Sequence, residues 1–213
     1  MKKPAAKTAA PSAAKTAMPK DATAKDSVSK NATPKASAPK DPAGSKSGAK
    51  ASATGIVKSS KIALSSNTKS QIAGILNARL ADGIDLALVT KQAHWNLKGP
   101  GFIGVHLMLD GFRDQLDTHV DTIAERIAQL GGIALGTTHT TAASTTLSPY
   151  PTEIVAVQDH LSALIERYAA TANAVREAID ASDDAGDADT ADMLTAYSRM
   201  LDKSLWFLQS NLA

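Results

Sequence analysis

The chain has no cysteine, so neither a disulfide nor a thiolate metal site is open to it. Aromatic residues make up only 4% of it, and none stands among the first 61 positions. No segment is long and apolar enough to span a bilayer, which takes about 20 residues, so no membrane partner is expected. Lys2 and Lys3 imitate the start of a signal peptide, but no apolar run of the required length, roughly seven residues or more, follows them. Glu-x-x-His, the di-iron signature of bundles that build their site within one chain, is also missing.

What is present divides at residue 61. Residues 1–61 hold 13 Lys against 3 Asp, a net +10, whereas residues 62–213 hold 10 Lys and Arg against 18 Asp and Glu, a net −8. The first part is rich in Ala, Lys, Ser, Thr and Pro and has little to bury against the entropy of ordering, which predicts a disordered tail. Lysine recurs there at every fifth position, at Lys15, Lys20, Lys25, Lys30, Lys35 and Lys40, in units similar to those of linker-histone tails. A proline-kept extended chain of this kind carries a cation about every 15 Å and can follow a phosphate backbone without reading bases. Residues 1–61 are therefore expected to be a basic tail for double-stranded DNA, with residues 62–213 as one folded domain; a solubilising spacer is the plainer alternative.

The domain reads as all-α. Thr68 and Gln71 suggest a capping box, and Ile72, Ile75, Leu76, Leu80, Ile84, Leu88 and Trp95 follow at helical period, which predicts a helix over about 68–97. A second run from Phe102 to Leu130 is stopped by Gly131 and Gly132. The Thr- and Ser-rich stretch from about 133 to 150 is too long for a hairpin and is expected to cross over, with a short helix of its own. Helices over about 152–181 and 189–211 complete the count, with Trp206 expected in the core.

The most informative pattern is a ladder of imidazoles and carboxylates: His94, His106, Asp110, Asp121 and Glu125. His106/Asp110 and Asp121/Glu125 are i, i+4 pairs, so each projects from one helix face. From His106 to Asp121 the axis advances roughly 22 Å while turning by only about 60°. One straight helix cannot bring both pairs to one ion, but two copies packed antiparallel about a twofold axis would set each pair against its complement, twice per dimer. Lys98, Gly99, Pro100 and Gly101 make the turn that returns His94 to the first pair. Such donors, without thiolate, suit iron, manganese or zinc.

His94-Trp95-Asn96-Leu97-Lys98-Gly99, Val105-His106, Asp110 and Asp121-Thr122-Ile123-Ala124-Glu125-Arg126 closely resemble the Dps proteins (DNA-binding proteins from starved cells). The resemblance implies a ferritin-like four-helix bundle assembled as a hollow dodecamer that oxidises Fe(II) with hydrogen peroxide and stores ferric iron. It assigns His94, His106 and Asp110 of one chain and Asp121 and Glu125 of its partner as the ferroxidase ligands, and implies a cytoplasmic, nucleoid-associated protein.

Taken singly, each of these residues reads as surface or core; their joint spacing favours the metal. His119, His139 and His160 lack matching partners and read as structural or surface residues. Trp95 guards the iron site, donates electrons or packs in the core. Lys91 and Lys98 either tune ligand charge or cap a solvated helix end. Asp183, Asp184, Asp187 and Asp189 form either a solvated capping loop or, by the resemblance, the lining of an ion pore. Two other functions remain open: a DNA-compacting protein whose core only oligomerises, and an iron store that uses oxygen.

Overall fold

The computed structural model describes residues 59–212. The expectations for the tail and for Lys15, Lys20, Lys25, Lys30, Lys35 and Lys40 fall outside the described residues. Those that are described form five helices and no strand: α1 (Ser66–Asn96), α2 (Phe102–Gln129), α3 (Thr138–Ser144), α4 (Val157–Asp184) and α5 (Ala188–Leu212). The four long ones make the bundle, and α3 is the short helix of the crossover. Among the described residues no helix is long and apolar enough to cross a membrane.

Two antiparallel hairpins, α1 with α2 and α4 with α5, bury one apolar stripe each. Leu76, Leu80, Leu86, Leu109, Leu116, Ile123, Leu161, Leu164 and Leu201 are all essentially inaccessible. At about 1.5–3 kcal/mol for each such side chain, this shared core is the main favourable term in folding. Tyr168 and Tyr197 fill its middle, and burial raises both phenol pKa values far above the ordinary one.

The helix ends explain why the hairpins turn where they do. α2 stops in a Schellman motif: Gly131 takes φ 89°, its N–H donates to Ala128, and that of Gly132 donates to Ile127. A Cβ on Gly132 would stand 2.9 Å from Ile127 Cγ2 and 3.1 Å from Ala73, so glycine is needed there for room as well. α4 closes in the same way at Gly186 (φ 80°), with Asp187 N donating to Ser182.

Three expectations about ends are corrected. α1 begins at Ser66, because the Ser65 hydroxyl, not Thr68, accepts from the Thr68 amide and supplies the N-cap. α4 begins at Val157, not near 152, because Lys98 N donates to Val155 O at 2.8 Å and Val157 N to Lys98 O at 3.1 Å. That bridge holds the chain extended up to Ala156. It also sets the start of α4 beside the start of α2, so the two helices run in the same sense. α5 extends from Ala188 to Leu212, about one residue more at each end.

Two α1 side chains pin the crossover. Buried Asp82 accepts from Arg79, from the Thr146 amide at 2.7 Å and from the Thr146 hydroxyl at 3.1 Å. Asn77 donates to Ile133 O and accepts from Leu135 N. The Asp82 carboxylate and the Asn77 amide are thus matched, as burial requires.

Candidate metal centre

The turn from α1 into α2 does the positioning. Leu97 leaves the helix extended, and Gly99 (φ 116°) and Gly101 (φ 78°) take up left-handed backbone that side chains disfavour. α2 starts at once, and its first turns lie against the last turns of α1. His94 and His106 then stack, with ring centroids 3.7 Å apart and planes inclined by 21°. His94 Nδ1 donates to His106 O at 3.0 Å, and His106 Nδ1 donates to His94 O at 3.0 Å. A carbonyl only accepts, so each ring keeps its proton on Nδ1 and frees the Nε2 lone pair.

Asp110, one turn after His106, completes the cluster. The three residues each offer a ligand atom, all within 4.8 Å of one another. His94 is buried, whereas the Asp110 side chain is 44% exposed, so the group opens on the surface. Lys91 reaches across from α1 and its Nζ bonds Asp110 Oδ1. That hydrogen bond is the largest cause, and together with the charges of His94, Lys91 and His106 it outweighs the opposing desolvation and holds the Asp110 carboxyl below its ordinary pKa. The contact sets Lys91 against the Asp110 carboxylate.

Asp121 and Glu125 stand farther along α2, both exposed, and do not join the cluster within the chain. Asp121 lines a groove of about 430 Å³ between α1, α2 and the start of the crossover, together with Leu80, Ile84, Val120, Ala124 and Ala134. Around the histidines the surface is unusually apolar: Trp95 is 69% exposed, Ile103 61% and Leu107 61%.

Other expected residues fall as follows. Trp206 is 61% exposed, tilted against Phe207, and so is not core. Trp95 does not pack in the core of its own chain either. His160 is buried and shares a 2.7 Å hydrogen bond with the Tyr150 hydroxyl, His119 stacks on Tyr197 at 5.0 Å, and His139 is exposed; none joins the cluster. In the acidic turn Asp183, Asp184 and Asp189 are exposed, but Asp187 is buried. It accepts from the Thr190 amide at 3.1 Å and hydroxyl at 2.6 Å, capping α5, and pairs with Arg126 at 2.7 Å. Arg126 was given no separate role by the sequence pattern, although it follows Glu125 directly.

The chain and its fold match known proteins. The family model described as "Ferritin-like domain" fits residues 73–213, which places the chain in that class of helical bundle. A "DNA protection during starvation protein" of Agrobacterium fabrum is 64% identical over 148 residues, covering 70% of this chain and 91% of the relative. Another of that name, from Mycolicibacterium smegmatis, is 36% identical, covering 70% of this chain and 81% of its own length. Among solved structures, the tetragonal form of Mycobacterium smegmatis Dps superposes with a TM-score of 0.70 at 35% identity, covering 73% of this chain and 94% of the other. DpsC from Streptomyces coelicolor gives 0.71 at 31%, covering 74% and 92%. The chain belongs to the Dps family.

Proposed function

We propose that the protein oxidises Fe(II) with hydrogen peroxide at sites shared between two chains, stores the ferric product inside a hollow, closed dodecamer of its own copies, and binds double-stranded DNA without sequence preference through residues 1–61. Residues 62–213 form the iron-handling domain. The observation that carries this reading is the incomplete cluster: two imidazoles with free Nε2 atoms and one carboxylate on a surface, with the complementary carboxylates of Asp121 and Glu125 unengaged on the same helix.

Iron is the substrate here. Two Fe(II) each give up one electron, and one peroxide accepts both while its O–O bond breaks and two protons are taken up, leaving two Fe(III) and two waters. Delivering both electrons together avoids the one-electron step that releases hydroxyl radical. His94 and His106 bind through Nε2, and each Nδ1–H bond to a backbone carbonyl fixes the ring orientation. Asp110, Asp121 and Glu125 offset the charge that rises from Fe(II) to Fe(III). The starvation-protection name of the relatives supports a cytoplasmic, nucleoid-associated role.

Complementation tests the shared site. A His106→Ala chain and an Asp121→Asn/Glu125→Gln chain should each lose rapid peroxide-dependent oxidation, yet co-assembled one to one they should recover about a quarter of it, since half the pairs are mixed and each has one intact site. No recovery in a co-assembled particle would overturn the assignment. Running the same stopped-flow assay with oxygen separates the two oxidants. Gel shifts over a salt series, with and without residues 1–61, test the tail: binding should fall steeply with salt and vanish on truncation.

A further inference from the structure

We propose that the groove between α1 and the crossover helix α3 binds a small free primary alkylammonium ion, with Asp85 holding the charged head and Leu88, Leu147 and Pro149 lying along the alkyl stem. Asp85 stands nine positions before His94 on α1, roughly 14 Å along its axis, so the site is separate from the cluster and does not depend on the shared-site reading.

Charge gives the first reason. Asp85 is half-buried in the wall of this groove, which has a volume of about 330 Å³. Its Oδ2 accepts from the Thr145 hydroxyl at 2.8 Å. Among the described residues Oδ1 accepts from nothing, and no Lys, Arg or His pairs with the carboxylate. Asp82, three residues earlier, is matched by Arg79 and by the Thr146 amide and hydroxyl. A carboxylate drawn partly out of water without a partner favours a cation beside it.

The rest of the lining narrows the kind of cation. A hard divalent ion collects about six or more oxygens, several of them from carboxylates, whereas this groove offers one carboxylate among aliphatic side chains. A guanidinium fork grips a carboxylate through both oxygens, and Thr145 already occupies Oδ2. An ammonium is a point charge on a flexible carbon stem, so it needs one free oxygen for its head and apolar surface for its chain. Asp85 Oδ1 meets the first need, and Leu88, 50% exposed, meets the second with Leu147 and Pro149. Thr141 supplies a further contact: it lines the groove, is 4% exposed, and its Oγ1 has no hydrogen-bond partner. Buried hydroxyls are ordinarily matched, and an ammonium N–H beside Asp85 brings the donor that this one lacks. The bound ion then bridges α1 and α3 and fastens the crossover to the bundle.

Titration of the full chain with n-butylammonium chloride, followed by saturation-transfer NMR and calorimetry, should show saturable binding with a Kd of about 1 mM or below. Butan-1-ol has the stem without the charge and methylammonium the charge without the stem; each should bind at least about tenfold more weakly. Asp85→Asn, which keeps an oxygen for Thr145, should weaken n-butylammonium by about tenfold or more and Thr141→Val severalfold, while peroxide-dependent iron oxidation stays at the wild-type rate. Absence of saturable binding overturns the proposal, and so does undiminished binding by Asp85→Asn or equal binding of butan-1-ol. Nα-acetyl-lysine amide carries the same head and stem on a peptide backbone, and binding as tight as that of n-butylammonium would overturn the free ion in favour of a lysine side chain. Should Asp85→Asn not fold, the ranking of the ligands on the wild-type chain decides.

Discussion

His94 and His106 fix one another through backbone as well as ring: each Nδ1 donates to the other's carbonyl at 3.0 Å while the imidazoles stack at 3.7 Å. These three contacts restrain both rings without an ion. His106→Ala removes a proposed ligand, the stack and one of the two bonds, so the loss of peroxide-dependent oxidation should exceed the roughly 10–100-fold typical of outer-shell changes. Native mass spectrometry should find the assembly unchanged.

On the proposed function, Lys91, bonded to Asp110 Oδ1, would compete with incoming metal for that carboxylate. Lys91→Gln should bind Co(II), a probe that does not turn over, severalfold more tightly by calorimetry. It should also let the Asp110 pKa rise toward its ordinary 3.8, as followed by carboxyl NMR. The sign is set by the lowered folded value: the pair's contribution is present above about 3.8 and is lost as pH falls through the folded pKa. Unchanged affinity would assign Lys91 a purely structural role.

Asp187 and Arg126 tie the end of α2 to the α4–α5 turn, with side chains only 2% and 11% exposed. Removing either partner alone strands a buried charge, so Asp187→Ala or Arg126→Ala should lower stability by about 3–5 kcal/mol in urea unfolding. The paired replacement Arg126→Met/Asp187→Leu should cost less than the sum of the two, because it strands nothing.

His160 gives the fold an acid-sensitive latch. It sits in the bundle beside Tyr150, whose ring carries Arg167 at 5.0 Å, with Asp159 as the nearby carboxylate. Burial lowers its pKa from the ordinary 6.5, outweighing the backbone of Ile154 and the charge of Asp159. A histidine depressed in the folded state binds more protons when unfolded, so stability is full above about 6.5 and declines as pH falls toward the folded value. Melting temperatures between about pH 7.5 and pH 5 should show that decline, and His160→Gln should flatten it. Half-buried His119, also lowered by burial, leaves a residual slope of the same sign.

The ladder was legible from sequence because its geometry is local. The i, i+4 pairs and the Gly99-Pro100-Gly101 turn depend on helix pitch and turn chemistry, and these brought His94, His106 and Asp110 together as expected. Contacts between helices were harder to read. Lys91 to Asp110 needs the register of α1 on α2, and Arg126 to Asp187 needs two elements 61 positions apart to meet. Apolar periodicity marks a face without saying what covers it, which is why Trp206 was expected inside. The start of α4 was misjudged because a two-bond bridge to Lys98, a tertiary event, overrides the local helical pattern.

That bridge has a consequence for anyone redesigning the chain. Lys98 lies two residues past the end of α1, the helix that carries His94, and through its own amide and carbonyl sets where α4 begins. A graft that lengthens or shortens residues 98–101 would therefore shift both halves of the scaffold at once, and a replacement loop must preserve two backbone partners as well as a span.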